Sequence, residues 1–224
     1  MHKHFRFEKK NDSSQITLCL EKSNPLFLRA LLKLDFLLAP SLDSSFSKVY
    51  FLGSSICTLE EFCKGVGVGG ISYNIVSRLI WCLVQQNVLL EKSGVSFFSL
   101  SLEDIVVVDE WNFFCANPTL CRTIFCEKVK RERESMIIFN SPFLRNKFSS
   151  PELLALTNIP SSVSVKTFYY SLACLAFYCL FKKYYSYDSS DSSDCLDSIL
   201  YTKLYWFFKR ALENDVKSRC LIYI

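Results

Sequence analysis

Residues 94–120 read G-V-S-F-F-S-L-S-L-E-D-I-V-V-V-D-E-W-N-F-F-C-A-N-P-T-L. β-Branched and aromatic residues gather at Val95–Phe98, Asp104–Val108 and Phe113–Ala116, with polar or turn-forming residues between them. This predicts three short strands, the first two flanking a loop. Just upstream, Ile71–Lys92 spaces Ile75, Val76, Leu79, Ile80, Leu83, Val84 and Leu90 mostly three or four residues apart. That period predicts one long amphipathic helix, with Ser72 placed to cap it. A long helix feeding short strands points to an α+β fold.

Further upstream, Gln15–Lys22 suits a short helix or strand, and Asn24-Pro25 signals a turn. Pro40–Ser47 reads as a serine-rich loop, Lys48–Leu52 (K-V-Y-F-L) as a strand, and Leu59–Cys63 as a helical turn capped by Thr58. The glycine-rich stretch Gly65–Gly70, G-V-G-V-G-G, lacks the Gly-Lys-Ser/Thr ending of a phosphate loop, so it reads as a flexible connector. Downstream, Leu120–Ser150 reads as irregular, and its basic run Lys128–Arg133 as a solvated face or a dock for an acidic partner. Ser150-Pro151-Glu152 opens a helical segment and Val163–Leu180 reads as a buried helix. Tyr187–Ser198 is acidic and serine-rich, hence a loop, and Ile199–Leu212 is an amphipathic helix.

Half of the 224 residues are apolar, which excludes a disordered or linker-like chain. A net charge of +4 is too small for a broad nucleic-acid surface, so no nucleic-acid partner is expected. There are 11 cysteines but no C-x-x-C, and the histidines are His2 and His4 alone, so no structural metal site is expected. The start M-H-K-H-F-R-F-E-K-K has no apolar leader core. Reduced, mostly buried thiols and an intracellular location, cytoplasmic or nuclear, follow as expectations. The longest apolar run, Phe168–Phe181, is shorter than the ~20 residues that span a bilayer. No membrane insertion is expected, and a membrane-associated helical protein stands as an alternative reading.

The 94–120 stretch resembles the catalytic loop and metal-binding segment of protein kinases, G-[IV]-x-H-R-D-L-K-x-x-N-I-[LV]-[LV] followed by D-F-G. Gly94, Val95, Leu100, Ile105 and Val107 fit the framework. Other segments resemble the family in register. Asn24–Leu28 and Tyr50–Leu52 look like strands 4 and 5 of the N-lobe, and Leu59–Phe62 like helix D. Ile71–Ser93 looks like helix E, with Glu91 at the position of a usual histidine. Ser150-Pro151-Glu152 resembles A-P-E, Phe168–Leu175 resembles helix F, and Glu213–Arg219 resembles the D-P-x-x-R ending. The resemblance implies a single kinase-like domain, with residues 1–56 a remnant of N-lobe and hinge and residues 57–224 a mainly helical C-lobe. The helix C glutamate falls near Gln15, which puts strand 3 and the glycine loop before residue 1: a truncated N-lobe.

The resemblance also implies where the chemistry would sit, and there it is degenerate. Ser99 stands at the catalytic base and Ser101 at the loop lysine. Asp104 replaces the metal-binding asparagine, and Asn117 the metal-binding aspartate. A serine hydroxyl is no general base near neutral pH, and losing that base alone costs about 10²–10⁴ in rate. Phe98 replaces the arginine that reads a phosphorylated activation loop. Phe97, Phe98 and Phe168 put apolar bulk where kinases are polar, which predicts a cleft closed by packing. Glu152 and Arg219 stand where kinases join A-P-E to the C-terminal arginine, and the resemblance predicts a retained ion pair between them, because a lone buried charge is costly. The expected function is a catalytically inactive serine/threonine-kinase-like scaffold with a protein partner and possible self-association. No cofactor is expected. The alternative is an atypical kinase that binds ATP and magnesium, with Asp104 as a weak magnesium ligand.

Overall fold

The structure, a computed structural model, describes residues 4–9, 14–67, 69–129 and 132–221. His2, Val68 of the glycine-rich connector and Lys130-Arg131 of the basic run lie outside them. The fold is α+β, with antiparallel sheets throughout.

The first half opens with strands β1 (Phe5–Lys9) and β2 (Gln15–Leu20), then helix α1 (Pro25–Leu31) and strands β3 (Leu38–Leu42) and β4 (Lys48–Leu52). The four strands form one sheet in the order β1-β2-β4-β3. Two expectations are corrected here. Asn24–Leu28 is not a strand: the Asn24 side chain accepts a hydrogen bond from Phe27 N at 3.1 Å, and Pro25 takes the first helical position. An Asn-Pro pair starts helices as well as turns, and burial of Phe27, Leu28 and Leu31 decides between them. Gln15, placed near a helix C, lies in a strand with Gln15–Leu52 register. The serine-rich loop also loses its first residues to β3. There Ala39 at φ 47° and a register shift between Leu38 and Ser41 accommodate Pro40 on the sheet edge.

Strand β5 (Ile56–Thr58) leads into helix α2 (Leu59–Gly65) through a complete capping box. Glu61 N donates to Thr58 Oγ1 at 3.2 Å and Thr58 N donates to Glu61 Oε2 at 2.8 Å. Helix α3 (Tyr73–Glu91) follows the connector; Ser72 occupies its N-cap position, but its side chain makes no capping bond. The connector is pinned at its far end, where Ile71 N donates to Cys179 O at 2.8 Å. A Cβ on Gly70, at φ +75°, would lie 2.0 Å from Leu180 O, so only glycine fits.

Strands β6 (Val95–Phe97), β7 (Ile105–Val108) and β8 (Asn112–Cys115) follow the sequence expectation closely. The irregular stretch expected after Leu120 is corrected. It contains strands β9 (Cys121–Val129) and β10 (Glu132–Phe139), paired as a hairpin with Phe125 opposite Met136 and Ile124 opposite Ile137. After helix α4 (Pro151–Ala155), strand β11 (Ser161–Ser164) takes residues assigned to the start of the buried helix, which is α5 (Thr167–Phe181). The acidic loop folds partly into helix α6 (Ser190–Asp197), and the last helix α7 (Lys203–Ala211) starts later than expected. The sheets are β5-β7-β8 and β11-β10-β9-β6.

One apolar core runs through both halves. Phe51 of β4 meets Phe114 of β8 edge-on at 5.9 Å, and Phe27 of α1 meets Phe97 of β6 at 6.4 Å. Helix α5 is buried along most of its length. Among the described residues, no helix is long and apolar enough to cross a membrane.

Candidate functional site

The loop between β6 and β7 and the segment after β8 lie side by side because β7 and β8 pair antiparallel, with Ile105 opposite Cys115. Ala116 N donates to Asp104 O at 2.8 Å and closes the juncture. This brings Ser101, Asp104 and Asn117 together. Ser101 Oγ donates to Asp104 Oδ2 at 2.5 Å, and Asn117 Nδ2 donates to Asp104 Oδ1 at 2.8 Å. Asn117 Oδ1 in turn accepts from Thr119 N at 3.0 Å and from Thr119 Oγ1 at 2.7 Å. Both carboxylate oxygens of Asp104 and the amide oxygen of Asn117 are thus engaged by neutral donors.

Ser99 is not part of this cluster. It is fully buried, and its Oγ accepts from Asn146 Nδ2 at 3.3 Å. The same amide donates to Leu100 O at 3.0 Å, while Leu100 N donates to Ser171 Oγ at 2.9 Å. The loop backbone is therefore held from below by Ser171 of α5 and from the side by Asn146. Sequence reasoning missed both. Ser171 was legible as the serine of the Phe168–Leu175 segment; Asn146, in a stretch without a pattern, carried no signal.

A cavity of about 710 Å³ opens above the loop, lined among others by Glu61, Ser101, Asp104, Asn117, Arg122 and Arg145. A cleft closed by packing is therefore corrected in part. Phe97 and Phe168 are buried beneath the loop, 6.1 Å apart, while Phe98 forms part of the cavity wall, and the mouth stays open. Phe98 carries the Arg122 guanidinium at 5.1 Å from its ring centre, and Arg122 Nη1 donates to Thr119 O at 2.6 Å. Burial pulls the Arg122 pKa down from its ordinary value.

Between β4 and β7 the chain packs tightly. A Cβ on Gly53, in the connector after β4, would lie 2.7 Å from Ile16 Cδ1 and 2.9 Å from Val108 Cγ1. The connector amides Ser54 N and Ser55 N both donate to Asp109 Oδ1, at 2.6 and 2.8 Å. Strand β2, the connector and β7 thus meet in van der Waals contact. Two buried amides of α3 brace the neighbouring strands. Gln86 bonds both backbone groups of Cys115 at 2.8 Å, and Asn87 Oδ1 accepts from Phe97 N at 2.9 Å. Glu91 sits beside them, its carboxyl raised above its ordinary value by burial, against hydrogen bonds from Asn87 and Ser96.

Glu152 and Arg219 lie apart from this cleft and meet each other. Arg219 Nη1 donates to Glu152 Oε1 at 2.7 Å, and Nη2 donates to Oε2 at 3.2 Å. The guanidinium also donates to Glu213 O at 2.8 Å and lies 4.9 Å from the Tyr170 ring centre.

Magnesium prefers an octahedral set of oxygens, usually one or two carboxylates completed by substrate phosphates. At the two positions that the resemblance gives to metal ligands, one carboxylate is present and both its oxygens accept from donors, while the Asn117 amide nitrogen points at it. Bonded to each other in this way, Asp104 and Asn117 alone do not make that set. No cluster of three or more histidine, cysteine or acidic side chains that could hold a metal occurs among the described residues. Compared with known proteins, the chain matches no protein-family model and no curated sequence.

Proposed function

We propose that the chain is a catalytically inactive, protein-kinase-like protein that works as a binding or regulatory module for a protein partner. The single observation carrying this reading is the Asp104 network. Where the resemblance expects a base and two metal ligands, Ser99 is sealed in the core, and Asp104 is saturated by Ser101 and Asn117. Three further features support it. Sheet, connector, short capped helix, long helix and loop-bearing strands follow in the order that the resemblance expects. With Gln15 in a strand and Pro25–Leu31 helical, β2 and α1 take the places of the strand and helix first put before residue 1 and near Gln15; a kinase pairs a lysine on that strand with a glutamate on that helix, and β2 (Q-I-T-L-C-L) has no lysine and α1 (P-L-F-L-R-A-L) no acid. The chain between β4 and β7 is also tightly packed, Gly53 against Ile16 and Val108, as suits a scaffold.

A second reading, an atypical kinase that binds ATP with magnesium, is favoured by the open cavity of about 710 Å³ with Asp104 on its wall. A thermal melt of the purified chain with and without ATP and magnesium separates the two, since a ligand of the folded state must raise the midpoint. An unmoved, cooperative transition and no transfer of labelled γ-phosphate are expected. A magnesium-dependent rise would favour the second reading.

A further inference from the structure

Cys63 in the last turn of α2 and Cys179 in the last turn of α5 hold their sulfurs 3.9 Å apart, 116 residues distant in sequence. Both are free thiols and both are buried. The seam around them is fixed: Ile71 N donates to Cys179 O at 2.8 Å, and the Lys182 ammonium donates to Cys63 O. We propose that Cys63 and Cys179 are a reversible dithiol–disulfide site that, when oxidised, ties α2 to α5.

The sulfurs must close from 3.9 Å to about 2.05 Å. That displacement is shared by two side chains, each turning about its own Cα–Cβ bond while the backbone of the seam holds. The pair is also chemically unequal. A hydrogen bond from Cys179 lowers the Cys63 pKa against the effect of burial, and the Lys182 charge adds to the lowering. Burial drives the Cys179 thiol well up. Cys63 keeps 4% of its surface exposed and Cys179 none, so a small oxidant meets Cys63 first. The Cys63 thiolate attacks one oxygen of a hydroperoxide, breaking the O–O bond, and becomes a sulfenic acid; the leaving oxygen departs as water or alcohol after taking a proton. The Cys179 sulfur then attacks the sulfenic sulfur, the S–S bond forms, and the hydroxyl leaves as water with the Cys179 proton. Two thiols lose two electrons and two protons, and the peroxide takes up both. A dithiol reductant reverses the step by exchange.

The test uses the full chain, treated with hydrogen peroxide, then denatured, alkylated and digested without reductant for mass spectrometry. The expected result is a peptide linking Cys63 to Cys179, lighter by two hydrogens than the separate thiol peptides and more abundant than any other cysteine pair. It should disappear on dithiothreitol treatment. Oxidation should also raise the thermal midpoint by about 5 °C or more, because the bond closes a long loop, and Cys63→Ala should abolish that rise. Both cysteines remaining open to alkylation, at a dose that has consumed the exposed Cys126 and Cys220, would overturn the proposal. Linkage of either residue mainly to a third cysteine would do the same.

Discussion

Arg219 and Glu152, 67 residues apart in sequence, form a two-pronged ion pair in which the arginine has no solvent exposure at all. The arginine is further stacked on Tyr170 and bonded to the Glu213 carbonyl, so the pair joins α4, α5 and the C-terminal segment. Removing one member strands the other. Arg219→Ala should lower stability by about 3–5 kcal/mol, and urea melts of the variant would show it. A loss under 1 kcal/mol would mean that the pair does not hold these segments together.

The same pair sets a pH dependence. Burial alone would raise the Glu152 carboxyl, but the hydrogen bonds from Arg219 and Thr167 outweigh it and hold the group below its ordinary value of 4.5. A depressed folded-state value means that its contribution is present above the ordinary value and is lost as pH falls through the folded one. Stability should therefore drop below about pH 4.5, and Glu152→Gln should remove part of that drop. Parallel melts of both proteins between neutral and acid pH would check the slope; identical slopes would refute the assignment.

Asn117→Asp would place a second carboxyl at hydrogen-bond distance from Asp104, where Asn117 Nδ2 now donates at 2.8 Å. Two carboxyls so close cannot both ionise cheaply, so one folded-state pKa rises. A raised carboxyl value costs stability as pH climbs through it. The variant should lose about 1–3 kcal/mol at pH 7.5 and recover part of it near pH 5. Equal losses at both pH values would show that charge is not the cause.

Gln86 stands in for a strand, bonding both the N–H and the C=O of Cys115 at the end of β8. Gln86→Leu keeps the bulk and leaves two buried backbone groups unpaired, at a cost of about 2–4 kcal/mol. The Cys115 amide should exchange with solvent many times faster in the variant. Unchanged protection would mean that β7 alone secures the strand.

Gly70 and Gly65 should respond in opposite ways to alanine. At Gly70 a methyl group meets the Leu180 carbonyl at a positive φ, so Gly70→Ala should cost about 2–4 kcal/mol. At Gly65, the last residue of α2, nothing lies within 4 Å of the added atom. There the exchange should be neutral or stabilising by up to about 1 kcal/mol. Thermal melts of the two variants would test whether the connector's glycines are there for flexibility or for fit.

Where a local rule was enough, the sequence could be read directly. Thr58 and Glu61 are three residues apart and make their capping box whatever surrounds them. Val95–Phe97, Ile105–Val108 and Asn112–Cys115 became strands because their side-chain composition favours an extended, half-buried chain. The β9–β10 hairpin was not legible, since the charge run K-V-K-R-E-R obscures the alternation of C-R-T-I-F-C and M-I-I-F on either side. Asn24-Pro25 was ambiguous for a different reason: the same dipeptide opens a turn or a helix, and only the core chose. At the candidate site, the residue types at Ser99, Ser101, Asp104 and Asn117 were plain. Their division into one sealed serine and three residues in a single network was not.

By itself, then, the sequence determined which segments could be helix or strand and which residue types stand at the candidate site, because capping, periodicity and side-chain acidity are properties of neighbours along the chain. Only the tertiary structure decided that Ser171 holds the Leu100 backbone, that Gly53 packs against Ile16 and Val108, and that Cys63 faces Cys179. Those contacts join residues tens of positions apart. Their partners are chosen by how helices and sheets pack into one core, a choice that no local pattern encodes.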